Sequence, residues 1–340
     1  MIKAKKLRPG DTIAIISPSS DLAAIFPHRI QNAKTALEHY GFKVETFPTT
    51  KKSIKGSAGT IEERVRDIHD AFSDPRIKGI ICSIGGLTAE ELLGHIDYNL
   101  IRNNPKVFCG YSDISILHYA FAAKADLVTF YGPAAMTQFA EFPTPDQYVL
   151  DHFSRATGNV MPVGRVLASE HWTDQVLNWK NQLKIPRDQN RNRGYVWLQE
   201  GKAKGQIVGG CLPTILQLHG TQYDMDYSGK ILFIETPEGD SIDTGYSLNK
   251  VRTNLDQLNN SGVFSKIKGL IIGRAFGYTP EEKQELNTLI QEYTSEQDYP
   301  VLVDANIGHA DPVITLPLHV QVSIDSSNNY FSIDESGVVD

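Results

Sequence analysis

Apolar positions along the first 135 residues alternate between two rhythms. Short runs that are apolar at nearly every position occur at 12–17 (TIAIIS), 78–86 (KGIICSIGG), 106–109 (KVFC) and 127–133 (LVTFYGP), with FKVETF at 42–47 half-apolar. These read as strands. Between them, 28–40, 60–74, 88–96 and 113–123 carry apolar residues at helical spacing. The 60–74 segment opens on an acidic turn, and Thr88 stands where an N-cap belongs, ahead of Glu90 and Glu91. Strand and helix in strict alternation predict a parallel, doubly wound sheet. In such sheets ligands bind beyond the carboxyl ends of the strands.

The rhythm stops at 136–195, which contain FPTPDQY, SEHWTDQVLNWK and the polar run KIPRDQNRNRG. This stretch reads as a connection with some helix. Beyond it the pattern resumes with strands rich in Val and Ile: YVWLQ, QIVGGC, KILFIE, GLIIG and PVLVDA, with helices expected around 246–259 and 280–295. LHVQVSID alternates as a half-exposed strand does. The pattern divides the chain into an N-terminal α/β domain over 1–140, a connection over 141–194 and a C-terminal domain over 195–340.

A chain of 340 residues suits two domains. A net charge of −7 argues against nucleic acid as a partner. The three cysteines, Cys82, Cys109 and Cys211, form no CxxC pair and read as buried free thiols in a reducing compartment. The first residues hold no signal-type apolar segment, and no run approaches the ~20 apolar residues of a membrane span. A cytoplasmic protein that engages no membrane is expected.

The chemistry-bearing stretch is CGYSDISIL, where a strand passes through Gly110-Tyr111-Ser112-Asp113 into a helix. Ser112 reads either as the cap of that helix or as a nucleophile raised on a sharp strand-to-helix turn. Gly110 supplies the first glycine of such an elbow, but Ile114 stands where the second would be. Most of the ten histidines lie in helical stretches; His309 instead follows an apolar strand in NIGHADP. It is a candidate base, or a turn histidine bonded to backbone. Glu235 closes the run ILFIE and must be paired if buried: it could orient the imidazole, or form a structural ion pair. The order Ser, Glu, His is one that hydrolytic triads use. The amide of Asp113 and the Gly85-Gly86 pair could supply oxyanion donors, although a glycine pair also suits a plain turn or a phosphate site. No metal-binding or nucleotide-binding fingerprint occurs, so neither metal nor cofactor is expected.

LRPGDTIAIISPSS, SIGGLTAEELL, CGYSDIS, GQIVGGCLPTILQLHGTQYD, KILFIET, GLIIGRAFGY and NIGHADP, in this order, resemble the LD-carboxypeptidase family. That family includes murein tetrapeptide carboxypeptidases and microcin C immunity peptidases. The resemblance covers almost the whole chain. It implies a Rossmann-like N-terminal domain carrying the nucleophile, a smaller mixed β/α C-terminal domain, and a homodimer. It implies a triad of Ser112, Glu235 and His309, with oxyanion donors at Asp113 and Gly86. SEHWTDQVLNWK resembles the immunity branch, in which a tryptophan stacks on the nucleobase of an aminoacyl-nucleotide. Trp172 and Trp179 are the candidates for that role, or else packing residues sharing a helix face. Cys211 stands where the family has Asn, and Leu87 where a tyrosine is frequent; with Gly85 these are candidate substrate contacts. The function expected is hydrolysis of an acidic aminoacyl-nucleotide amide. Release of D-alanine from a murein tetrapeptide is the alternative within the family. An α/β-hydrolase esterase and a non-catalytic two-domain small-molecule binding protein are the rivals outside it.

Overall fold

The computed structural model describes residues 1–340. The strand segments of the first 135 residues do form a parallel sheet, in the spatial order Phe130–Tyr131, Val107–Gly110, Ile77–Cys82, Thr12–Ile16 and the half-apolar edge strand Lys43–Thr46. Both faces are covered, which explains why the strands are continuous in apolar residues rather than alternating. Helices Ile61–Ser73 and Ser115–Ala125 are among the elements that cover it. The first opens on a full capping box between Thr60 and Glu63. The second is buried nearly all round, because it lies between this sheet and the next. Phe108 and Phe121 meet there edge to face, with ring centroids 4.9 Å apart.

A sixth strand, Leu316–Pro317, joins this sheet antiparallel to Phe130–Tyr131. It arrives from the far end of the chain, so the last third of the sequence closes the edge of the first sheet. The second sheet has eight strands, two more than the first. Its parallel centre is Lys202–Cys211, Ile231–Glu235, Gly269–Gly273 and Val301–Ala305. Antiparallel strands extend it on both sides, and the outermost, Gly164–Arg165, comes from the connection. Strand Gln321–Asp325 shows the alternating burial that LHVQVSID predicted.

Two helical expectations change. The segment 88–96 forms only a short 3-10 turn, Ala89–Leu92. The reason is that Thr88 is not free to cap: its Oγ1 accepts from buried Arg64 (2.9 Å), and its own amide donates to Asp113. In the connection, helix Gln147–Gly158 is present, but Trp172 and Trp179 share no helix face. Trp172 lies in a two-residue strand, His171–Trp172, paired with Asn190–Arg191, and Trp179 lies in a turn. No helix is long and apolar enough to cross a membrane.

Candidate functional site

The carboxyl ends of both parallel sheets open on one cleft, and the site is built from their last residues. At the end of strand Val107–Gly110 the chain turns sharply. Tyr111 is extended, Ser112 takes φ +64°, and a 3-10 turn, Ser112–Ile114, leads into helix Ser115–Ala125. A left-handed serine costs about 1–3 kcal/mol and persists only where its surroundings demand it. Those surroundings are specific. The Ser112 N–H donates to Tyr131 Oη (3.2 Å), and Ser115 Oγ donates to the Ser112 carbonyl (2.7 Å). His118 Nε2 lies 2.9 Å from the Gly110 carbonyl, which can only accept, so this nitrogen carries the proton. Nδ1 then accepts from Thr129 Oγ1 at 2.9 Å. Burial lowers the His118 pKa to about 4, so it remains a neutral strut at neutral pH.

Ser112 does not cap the helix. Ile114 occupies the cap position, and no side chain caps it. The Ser112 hydroxyl faces the cleft beside Gly85. A Cβ on Gly85 would stand 2.7 Å from Ser112 Cβ and 2.9 Å from its Oγ, so only glycine lets the loop pass this close.

Glu235, the last residue of strand Ile231–Glu235, is fully buried. Its Oε2 accepts from His309 Nδ1 (2.7 Å) and its Oε1 accepts from Tyr131 Oη (2.5 Å). Both oxygens of a buried carboxylate thus have donors, as burial requires. Gly308 makes the approach of His309 feasible: at φ +105°, a Cβ there would lie 2.5 Å from Glu235 Oε2. With the proton on Nδ1, Nε2 of neutral His309 presents a lone pair to the cleft. Burial pushes the His309 pKa down, but the charge and hydrogen bond of Glu235, with Glu238 and Asp311, outweigh it and leave the pKa raised. Edges of Tyr111 and Phe276 flank the ring, at 5.0 and 6.4 Å between centroids. Nε2 is 3.5 Å from Glu238 Oε2 and is not hydrogen-bonded to Ser112. Such contacts commonly tighten only once substrate is bound.

The third component is the loop after strand Ile77–Cys82. Asp113, buried, takes donors from Ser19 Oγ (2.5 Å) and from the Thr88 and Ala89 amides (both 3.0 Å). This carboxylate therefore ties the glycine-pair loop to the elbow. The amides of Gly86 and Asp113 donate to no backbone or side-chain acceptor; Asp113 follows Ser112 directly, and Gly86 follows Gly85, the glycine that packs against Ser112. They form a pair of free donors suited to a developing oxyanion.

Two dozen residues line this cleft, which is open to solvent. Ser112, His309, Gly85, Gly86 and Trp179 all line it. Trp179 has the Arg29 guanidinium 4.7 Å above its ring and Phe26 against its edge. The other expected contacts lie elsewhere. Leu87 is 91% exposed and does not line the cleft. Trp172 borders a neighbouring hollow, its ring in contact with the cations of Lys283 and Arg274. Cys211 is buried beside Glu235 in the sheet, its amide donating to Ser115 Oγ (3.1 Å). Three residues that the sequence did not single out complete the site: Tyr131, Glu238 and Arg187, the last bound to Glu141 and, at 2.5 Å, to Asp311. Tyr131 ends a parallel strand and was findable on that ground. Arg187 sits in a polar run that carries no periodic signal. No group of three or more His, Cys, Asp or Glu side chains is placed to hold a metal ion.

Comparison with known proteins agrees over both halves. Residues 13–132 match the LD-carboxypeptidase N-terminal domain, and residues 204–324 match the LD-carboxypeptidase C-terminal domain. A putative carboxypeptidase of Vibrio cholerae is 31% identical, covering 99% of both chains. The microcin C7 self-immunity protein MccF of Escherichia coli is 30% identical, over 98% of this chain and 95% of its own. A probable murein peptide carboxypeptidase of Bacillus subtilis is 28% identical, over 99% and 95%. Among solved structures, MccF in complex with glutamyl sulfamoyl guanosine superposes with a TM-score of 0.90 at 29% identity, covering both chains completely. The complex with aspartyl sulfamoyl adenosine gives the same values.

Tyr131 is the one side chain bonded both to the serine elbow and to the Glu235 carboxylate. Tyr131→Phe is expected to keep the fold, cost about 1–3 kcal/mol for the carboxylate oxygen left without its donor, and lower kcat more than it raises KM. Urea denaturation and steady-state kinetics measure both; wild-type values in both would show that the bridge has no positioning role.

Proposed function

The chain belongs to the LD-carboxypeptidase family and is a serine-type peptidase, and we propose that Ser112, His309 and Glu235 carry out its chemistry. The observation that supports this most is the strained Ser112, facing the same cleft as an imidazole whose other nitrogen is bonded to a buried carboxylate. In this reading His309 Nε2 takes the Ser112 proton as Oγ attacks the scissile carbonyl carbon. Glu235 keeps the proton on Nδ1 and stabilises the imidazolium that forms. The Gly86 and Asp113 amides receive the oxyanion; one such donor is typically worth about 2.7–4 kcal/mol. The imidazolium then protonates the leaving nitrogen, and water, deprotonated by His309, releases the acyl group from Ser112.

For the substrate we propose an acidic aminoacyl-nucleotide amide. Support comes from the ligands in the MccF complexes and from Trp179, an aromatic ring lining the cleft. The tryptophan would stack on the base, an interaction of about 1–3 kcal/mol. A second reading, release of D-alanine from a murein tetrapeptide, has support in the relative named as a murein peptide carboxypeptidase.

Mass spectrometry separates the two readings. Wild-type protein and Ser112→Ala are each incubated with aspartyl sulfamoyl adenosine and with a murein tetrapeptide ending in D-alanine. Wild type is expected to release aspartate from the first compound, and the variant is expected to release nothing. Loss of D-alanine alone would favour the second reading and make Trp179 a packing residue. Turnover by Ser112→Ala would remove the serine from the chemistry.

The raised pKa of His309 sets the pH dependence. The base must be neutral, so activity falls as pH drops through that pKa. The acidic limb of kcat/KM is therefore expected to have its midpoint above the 6.5 of an ordinary histidine. A limb centred below 6.5 would mean that His309 is not the titrating base.

A further inference from the structure

Five ionisable carboxylate and guanidinium side chains line the cleft: Arg29, Glu141, Arg187, Glu238 and Asp311. Four of them are engaged with the protein. Arg187 is clamped between Glu141 and Asp311, and Asp311 also accepts from Gln138 Nε2 at 2.9 Å. Arg29 donates to the carbonyls of Met136 (2.8 Å) and Thr137 (3.3 Å) and lies over Trp179. Glu238 alone has no cation and no hydrogen-bond donor facing it, apart from the imidazole of His309 at 3.5 Å. Its side chain is 44% exposed, yet its backbone is fixed. Glu238 forms a bridge with Gly245, whose amide donates to the Gly277 carbonyl (2.9 Å), and the Gly239 amide donates to Thr244 (2.7 Å). A short hairpin, pinned to the turn at 276–278, therefore holds a carboxylate at the edge of the reacting atoms.

A carboxylate this close to Nε2 lies within a few ångströms of where the scissile carbonyl must sit. A substrate that leaves it unpaired would desolvate it for no return, and an anionic substituent there would be repelled. The departing group of the proposed substrate, a sulfamate or phosphate, is itself anionic, so the carboxylate belongs on the acyl side. The acyl substituent that reaches it is the one attached to the carbon next to the carbonyl.

We propose that Glu238 is a specificity residue that receives the free α-ammonium group of the acyl residue, so that the enzyme takes aminoacyl compounds with an unblocked amine. In the resting protein Glu238 Oε2 lies 3.5 Å from His309 Nε2 and pairs with the ring only when that nitrogen is protonated; the incoming ammonium gives the carboxylate a charge-assisted hydrogen bond of its own and leaves Nε2 to Ser112. This deepens the reading of the cleft as an aminoacyl-nucleotide site and rests on it.

The test is binding, measured by calorimetry on the Ser112→Ala protein so that nothing is hydrolysed. The ligands are aspartyl sulfamoyl adenosine and the same compound acetylated on its α-amine. The free amine is expected to bind about tenfold tighter or better, the scale of one hydrogen bond between charged groups. Adding Glu238→Gln should abolish the difference, while Glu238→Asp should retain part of it. Thermal unfolding confirms that each variant is folded. Equal binding of the two ligands, or a difference that survives Glu238→Gln, overturns the role of Glu238 and leaves the aminoacyl-nucleotide reading standing. If neither ligand binds Ser112→Ala, the aminoacyl-nucleotide reading fails, and the role of Glu238 fails with it.

Discussion

Much of this molecule follows from the need to satisfy one buried carboxylate. Glu235 ends a strand at the centre of the second sheet and is fully buried. A charge in that position is tolerated only if donors reach both oxygens. One donor is His309, from the loop after strand Val301–Ala305 of the same sheet. The other is Tyr131, from the edge of the first sheet, and the Tyr131 oxygen in turn accepts from the Ser112 amide. A chain of hydrogen bonds thus runs from the imidazole through carboxylate and phenol to the backbone of the elbow. The two sheets cannot slide past one another without breaking it.

Connectivity reinforces this arrangement. Strand Leu316–Pro317 follows the His309 loop and returns to pair with Phe130–Tyr131. The chain that supplies His309 therefore also clamps the strand that supplies Tyr131. Helix Ser115–Ala125 sits between the sheets and is anchored to the second through Ser115, whose hydroxyl takes the Cys211 amide and donates to the Ser112 carbonyl. The left-handed Ser112 is held by groups from two directions, which is how a conformation costing a few kcal/mol is maintained. The fully buried Arg64 acts at one remove. It braces the carbonyls of Pro18 and Thr88, and hence the loop whose amides bind Asp113.

Legibility in the sequence tracked the physics behind each signal. The parallel strands were plain, because burial on both faces leaves continuous apolar runs. Ser112, His309 and Glu235 were visible because each interrupts or ends such a run at a carboxyl edge. Residues 88–96 misled, since helix-favouring residues were outweighed by tertiary partners: Arg64 takes the Thr88 hydroxyl and Asp113 takes the amides. The connection also misled, because seven-residue spacing between tryptophans has no meaning in a chain held by short strands and turns. Glu238 and Arg187 left no trace at all. Their placement depends on a hairpin and an ion cluster that long-range contacts assemble.

The central claim is that Ser112 is an activated nucleophile served by His309. Labelling with a fluorophosphonate, followed by peptide mass mapping, tests it most directly. A single adduct on Ser112, formed much more slowly in His309→Ala, is the predicted result. An adduct on another residue, or a Ser112 labelling rate that His309→Ala leaves unchanged, would contradict it.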